Sequence, residues 1–415
     1  MKTDQRRFPR AEISPGMPTG AVSVLCEEAR RCDERAFAHL MAHVRGTDAT
    51  YRTVVMVQVE NEVGILGSAR DRCAMAEAAF EGAVPPELLA RMHDRRNRLR
   101  PELSGALCAS SGTWRDVFGA IADEAFMAWH FGRFVDAVAA AGRAEYDLPC
   151  FANAWLVQHA AEKPGEYPSG GPVSRMRDMW RVAAPHIDVL APDIHLPDFA
   201  SVCADCASGG EALLIPEARR DVHTAARAWY AFGQHDAICY APFGLETIGQ
   251  RSPEGVIFES ESTSEHVALL AKSYSLLRDL LPEIGACLAS GRTVGILQDN
   301  CSVRSFELGG YRVRVTFAKA HDQQSPAAGG LIASPADGEF VVAGFGFNVD
   351  FQPRTACHGI VDFLEIWEGT YVEGGWVRGR RLNGDEYGVH LGREPGVRKV
   401  RLYTYHQAPG TIGEQ

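Results

Sequence analysis

Two glutamates stand where paired-carboxylate chemistry could be built. The run Gln58-Val59-Glu60-Asn61-Glu62-Val63-Gly64 follows an apolar, β-branched stretch, Thr53-Val54-Val55-Met56-Val57. Such stretches suit strands buried on both faces of a parallel sheet. A carboxylate at the C-terminal end of a buried strand is costly unless it is used, and the sites of parallel α/β folds gather at those ends. Period-two alternation puts Glu60 and Glu62 on one face and Asn61 nearer the other. Gly64 then lets the chain turn sharply away. A second apolar run, Ala212-Leu213-Leu214-Ile215-Pro216-Glu217, delivers Glu217 in the same manner. Two carboxyls on different strands of one sheet can face each other across a pocket. One protonates a departing oxygen while the other attacks carbon or activates water, and glycoside hydrolysis requires this pair.

The elements that must position these residues are legible as a rhythm. Apolar runs at 148–156, 187–196 and 237–243 join those at 53–59 and 212–217 as five strands. Helical spacing over 27–45, 117–142, 172–184, 198–208, 218–232 and 263–289 fills the intervals. Strand alternating with helix implies βαβ units and a parallel sheet. Residues 72–116, with Pro85-Pro86 and several arginines, read as a long insertion after the first strand, of the kind that walls a site. Near Gly291 the rhythm changes to short alternating strands at 311–317, 339–343, 361–367, 375–377 and 399–405. The turns between them fall at Gly309-Gly310, Gly329-Gly330 and Gly374-Gly375. The reading is an α/β domain over 1–290 and an all-β, sandwich-like domain over 291–415.

Composition excludes several classes. The net charge of −11 on 415 residues repels phosphate backbones, so nucleic acid is not an expected partner. The basic stretch 91–100 reads as a solvated helix face. No run of 18 uncharged apolar residues occurs, so no membrane span is expected. The basic N-terminus lacks the apolar stretch of a signal peptide. The 11 cysteines, an odd number scattered along the chain, suit reduced thiols in a cytoplasmic setting, and Cys203 and Cys206 lack the second pair of a zinc site. Gly344-Phe345-Gly346-Phe347 lacks the strand–turn–helix setting of a dinucleotide loop and reads as a turn in the β domain.

The motifs resemble a known family. The run Val57-Gln58-Val59-Glu60-Asn61-Glu62-Val63-Gly64 is similar to the signature of family 35 β-galactosidases, which usually have Tyr where Val63 stands. Asn153-Ala154-Trp155-Leu156, the stretch 164–172 (PGEYPSGGP), Ala191-Pro192-Asp193-Ile194-His195-Leu196-Pro197-Asp198 and the stretch 240–246 (YAPFGLE) resemble a bacterial subgroup of that family. Residues 379–386 (GRRLNGDE) resemble its accessory β domain. The resemblance implies a (β/α)8 TIM-barrel glycosidase in which Asn61-Glu62 ends strand four and Glu217 ends strand seven. Glu62 would then be the acid/base and Glu217 the nucleophile of a retaining hydrolase that releases terminal β-linked galactose without a cofactor or metal. Their carboxyls would lie about 5–5.5 Å apart. Only strands four to eight would be present, because residues 1–26 cannot supply strands one to three. The chain is therefore expected to be truncated at its N-terminus, with an uncapped apolar edge at Val54-Val55-Met56-Val57 that invites association.

Around the pair, Asn61, Glu60, Asn153, Trp155 and His195 are candidates to bind substrate. Each has a plainer reading: Glu60 as an ion pair with arginine, Trp155 as core. His195 stands where relatives would have Tyr. For the whole chain the alternatives are a β-glycosidase of other sugar specificity and a non-catalytic remnant.

Overall fold

A computed structural model describes residues 3–95, 99–249, 263–317, 326–354 and 359–405. It divides into two units, Met1–Leu196 with Ser208–Leu214, and Pro197–Ala207 with Ile215–Gln415.

The first unit opens with an antiparallel hairpin, β1 (Arg10–Ser14) and β2 (Met17–Val22). A long helix α1 (Glu27–Asp48) follows. The first strand of the parallel series, β3, is only Val57–Gln58. The expected strand over 53–59 is shortened for a local reason. The Asp48 carboxylate accepts from Thr53 N at 3.0 Å and Val54 N at 2.8 Å, capturing donors that a ladder would have used. Val55 is 73% exposed as a result.

Residues 72–116 fold as short helices rather than a bare loop: α2 (Ala74–Glu81), α3 (Pro86–Asp94), α4 (Pro101–Ala106) and α5 (Trp114–Phe118). Pro86 and Pro101 open α3 and α4, where a missing N–H costs nothing. Part of the basic stretch is structural rather than solvated. Arg91 donates to Val182 O (2.9 Å), and Arg100 donates to the hydroxyls of Ser174 (2.5 Å) and Ser208 (2.6 Å). Residues 96–98 lie outside the described residues.

Helix α6 (Ala122–Glu145) runs through the core, where Phe126, Met127 and Val135 are buried with Trp114, Phe118 and Trp180. Strand β4 (Cys150–Ala154), helix α7 (Arg177–Ala183) and strand β5 (Val189–Ile194) complete a βαβ step. The pairing is parallel, with Val57 opposite Cys150 and Asn153 opposite Ala191.

The second unit continues the alternation with α8 (Phe199–Cys206), β6 (Leu214–Ala218), α9 (Thr224–His235), β7 (Cys239–Pro242) and α10 (Ser264–Ala289). Cys203 and Cys206 are buried free thiols one turn apart on α8. Five strands of the βα series are thus present among the described residues, not the eight of a closed barrel.

From β8 (Thr293–Leu297) onward the unit is all-β, and the change of element type expected near 290 lies inside it. Strands β9 (Val303–Leu308), β10 (Tyr311–Phe317), β11 (Gly329–Ala336), β12 (Glu339–Phe345) and β13 (Phe347–Pro353) follow. The series ends with β14 (Ile360–Val372), β15 (Gly375–Arg381), β16 (Val389–Leu391) and β17 (Gly396–Tyr405). They form two antiparallel sheets, ordered β16-β13-β10-β9 and β15-β14-β17-β12-β11-β8. Alternation builds the shared core: Val313 and Val315 of β10 and Phe347 and Val349 of β13 are buried with Ile332, Val342, Ile366 and Val400.

Gly329-Gly330, expected as a turn, instead opens β11. A Cβ on Gly330 would lie 2.3 Å from Ala343 O, so glycine serves close packing there. Gly346 is the turn between β12 and β13, as the sequence implied. No helix among the described residues is long and apolar enough to cross a membrane.

Candidate active site at the ends of three parallel strands

In the first unit, the C-terminal ends of β3, β4 and β5 bring Gln58, Asn153 and Asp193 together. Asn153 is 3% exposed and sits at the centre. Its Oδ1 accepts from Gln58 Nε2 (3.1 Å) and from the backbone N–H of Glu62 (2.9 Å). Its Nδ2 donates to Asn61 Oδ1 (3.1 Å) and Asp193 Oδ2 (2.7 Å). A side-chain amide offers two acceptor and two donor positions, and all four are used. Gln58 Nε2 also donates to Asn61 Oδ1 (3.0 Å) and Glu60 O (2.9 Å), folding the chain back on itself just past β3.

Because β3 stops at Gln58, strand alternation does not govern Glu60 and Glu62. Both adopt left-handed backbone, at φ 59° and φ 42°. A non-glycine residue in that region costs about 1–3 kcal/mol and persists only where its surroundings impose it, a pattern that clusters at functional sites. Here the Asn153 bond to Glu62 N and the Gln58 bond to Glu60 O impose it. Gly64, at φ 151°, is the third irregular position: a Cβ there would lie 2.5 Å from Pro168 C, so only glycine fits.

Glu62 is half-buried, and Glu60 and Asn61 are exposed. Partial loss of water, and then the negative charge of Asp33 on α1, pushes the Glu60 carboxyl above its ordinary range. Asp33 is thus an acidic neighbour of Glu60, whose two readings from the sequence are substrate binding and an ion pair with arginine. Trp155 is half-buried, with part of its surface against the unit's core. His195, one residue beyond β5, is half-buried.

In the second unit, Glu217 is the penultimate residue of β6 and is half-buried. Beyond it Arg219 faces Asp221 (3.5 Å), which also pairs with the buried Arg227 (3.0 Å). Among the described residues no three His, Cys, Asp or Glu side chains gather as a metal site would need.

The parts that sequence reasoning missed are Gln58 and Asp193 as anchors and Asp33 as the neighbour of Glu60. An amide three residues before Asn61 was the available signal for Gln58; nothing local pointed to Asp33, 27 positions before Glu60.

Removing the Asn153 side chain should be expensive. Asn153→Ala deletes four bonds from a buried centre and should cost roughly 2–4 kcal/mol in a denaturant titration. Asn153→Asp keeps the shape but turns an oxygen toward Asp193. It should therefore be most destabilised at neutral pH and partly recover on acidification.

Residues 270–392 match a family described as a domain of unknown function, DUF5597, covering the span from α10 to β16. No curated protein matches the chain.

Proposed function

We propose that the chain is a retaining glycoside hydrolase releasing terminal β-linked galactose, with Glu62 as acid/base and Glu217 as nucleophile. The observation that carries the reading is the buried Asn153, which bonds Asn61 and the Glu62 N–H just past β3, where Glu60 and Glu62 adopt left-handed backbone. A carboxylate held by such backbone restraint suits proton transfer at a fixed point. Glu217 likewise ends an apolar strand, and the choice of galactose rests on the motif resemblance.

In the first step a Glu217 oxygen bonds to the anomeric carbon as the glycosidic C–O bond breaks, and Glu62 gives its proton to the leaving oxygen. In the second step Glu62 takes a proton from water, whose oxygen displaces Glu217. Glu62 gives one proton and regains one from water, and Glu217 is the nucleophile, so the reading calls for no cofactor.

Glu62→Ala tests the roles. Hydrolysis of an aryl β-galactoside with a poor leaving group should fall roughly 10²–10⁴-fold, whereas a dinitrophenyl galactoside, which departs unprotonated, should keep its first step. Equal loss of kcat/KM, which reports the first step, on both substrates would contradict the acid/base role. Assaying wild type on aryl β-glucosides and β-xylosides in parallel decides the sugar. A wild-type chain inactive on all of them would refute the hydrolase reading.

A further inference from the structure

The stretch Pro164–Pro172 lies between two partners of the first unit. On one side it pairs with the residues just after Glu62: Ile65 N donates to Ser169 O (3.0 Å), Ser169 N to Ile65 O (2.9 Å) and Gly67 N to Gly165 O (2.8 Å). On the other side Gly170, at φ 82°, abuts helix α6 so closely that a Cβ would lie 2.4 Å from Met127 Cβ. Trp180 Nε1 donates to Gly170 O (3.0 Å).

Between these contacts sits a fully buried polar group. Tyr167, with no exposed surface, donates its hydroxyl to Glu124 Oε1 at 2.7 Å. Glu124 is in the first turn of α6 and is 1% exposed. Its other oxygen is ion-paired with Arg175 Nη2 at 2.7 Å, and the Arg175 guanidinium stands 5.2 Å from the centre of the Tyr167 ring. A carboxylate buried this deeply is retained at a cost, and burial raises its pKa to about 7 despite Arg175. An apolar pair would fill the same space more cheaply. What the polar pair adds is direction: one hydroxyl–carboxyl bond fixes where the 164–172 stretch sits on α6.

We infer that Glu124 and Tyr167 are positioning residues that fasten the 164–172 stretch to α6 and thereby hold the segment carrying Glu62; for catalysis, this rests on the acid/base reading of Glu62. The chain of contacts is continuous: Glu124 to Tyr167, Tyr167 through Pro168 and Ser169 to Gly64 and Ile65, and these to Glu62. Misplacing a proton donor by about 1 Å can cost on the order of a hundredfold in rate, so a fastening at this distance can govern turnover.

The test is hydrogen exchange on the full chain, read at Ile65 and Gly67, together with aryl β-galactoside kinetics. Tyr167→Phe should speed exchange at both amides roughly tenfold over wild type while amides in the middle of α6 change little. It should lower kcat roughly tenfold or more with KM nearly unchanged. Glu124→Gln keeps an acceptor for the Tyr167 hydroxyl and should leave exchange and kcat within about twofold of wild type. The double variant Glu124→Leu with Tyr167→Phe removes both ends of the hydroxyl–carboxyl bond, leaves the one-third-exposed Arg175 guanidinium to water, and should loosen Ile65 and Gly67 as Tyr167→Phe does. Exchange that rises equally at α6 and at Ile65, or at neither, in both Tyr167→Phe and the double variant would overturn the inference. An inactive wild type would instead sink the acid/base reading, and the exchange arm would still decide the fastening.

Discussion

On the proposed mechanism Glu217→Ala should abolish turnover, lowering kcat by about 10⁴-fold or more, because it removes the group assigned to form the covalent intermediate. Added azide should restore product formation, and that product is the diagnostic. Removing the carboxylate opens space on the face from which it attacked. Azide entering there displaces the leaving group once, so the glycosyl azide carries configuration opposite to the substrate's. A dinitrophenyl galactoside is the substrate of choice, since its departure needs no proton and isolates the nucleophile's role. Residual hydrolysis near wild type, or an azide adduct of retained configuration, would remove Glu217 from the nucleophile's place. Wild type incubated with azide is the control: it should give galactose as its main product.

Much of the α/β region was readable because its strands are continuous apolar runs. Runs expected at 148–156, 187–196, 212–217 and 237–243 contain β4, β5, β6 and β7 within them or within a residue of them. Polar residues at their C-terminal ends were readable for the same reason. What failed was the first strand. Its composition is as β-branched as any, but Asp48, at the end of the preceding helix, takes the backbone donors of Thr53 and Val54. Composition cannot register a side chain that competes for the ladder. The kink at Glu60 and Glu62 was hidden for a related reason: left-handed backbone at a glutamate is imposed by distant partners, here Asn153, 91 residues from Glu62. Glycine misled once. Gly329-Gly330 carries the composition of a turn, yet the pair lies in a strand because neighbouring backbone leaves no room for a Cβ. The buried carboxyl of Glu124 had no sequence signal, since an acidic residue in the first turn of a helix is ordinary.

That carboxyl makes stability depend on pH in a way that Glu124→Gln should expose. Burial raises the Glu124 pKa from 4.5 to about 7, so the folded chain holds a proton that the unfolded chain has already released. The stabilisation is fully present below about pH 4.5 and is lost as pH rises through about 7. At about 1.36 kcal/mol per pH unit across that interval, the loss amounts to about 3 kcal/mol. His130, on the same helix and packed against Phe126 at 4.4 Å between ring centres, works in the opposite sense. Burial lowers its pKa from 6.5 to about 4, so its contribution is present above about pH 6.5 and lost as pH falls through about 4. In wild type these two contributions oppose each other between roughly pH 4.5 and 6.5 and partly cancel. Glutamine cannot ionise, yet it keeps an acceptor for Tyr167. Glu124→Gln should therefore match wild type near pH 4.5, keep the pH dependence that the other groups give wild type, and exceed wild type by up to about 3 kcal/mol at pH 8. Urea titrations of both proteins at pH 4.5, 6 and 8 would measure this, following hydrogen exchange at the amides of α6. A difference between the two proteins that stayed constant across those pH values would mean that Glu124 titrates where an exposed carboxyl does, and that its burial carries no proton-linked cost.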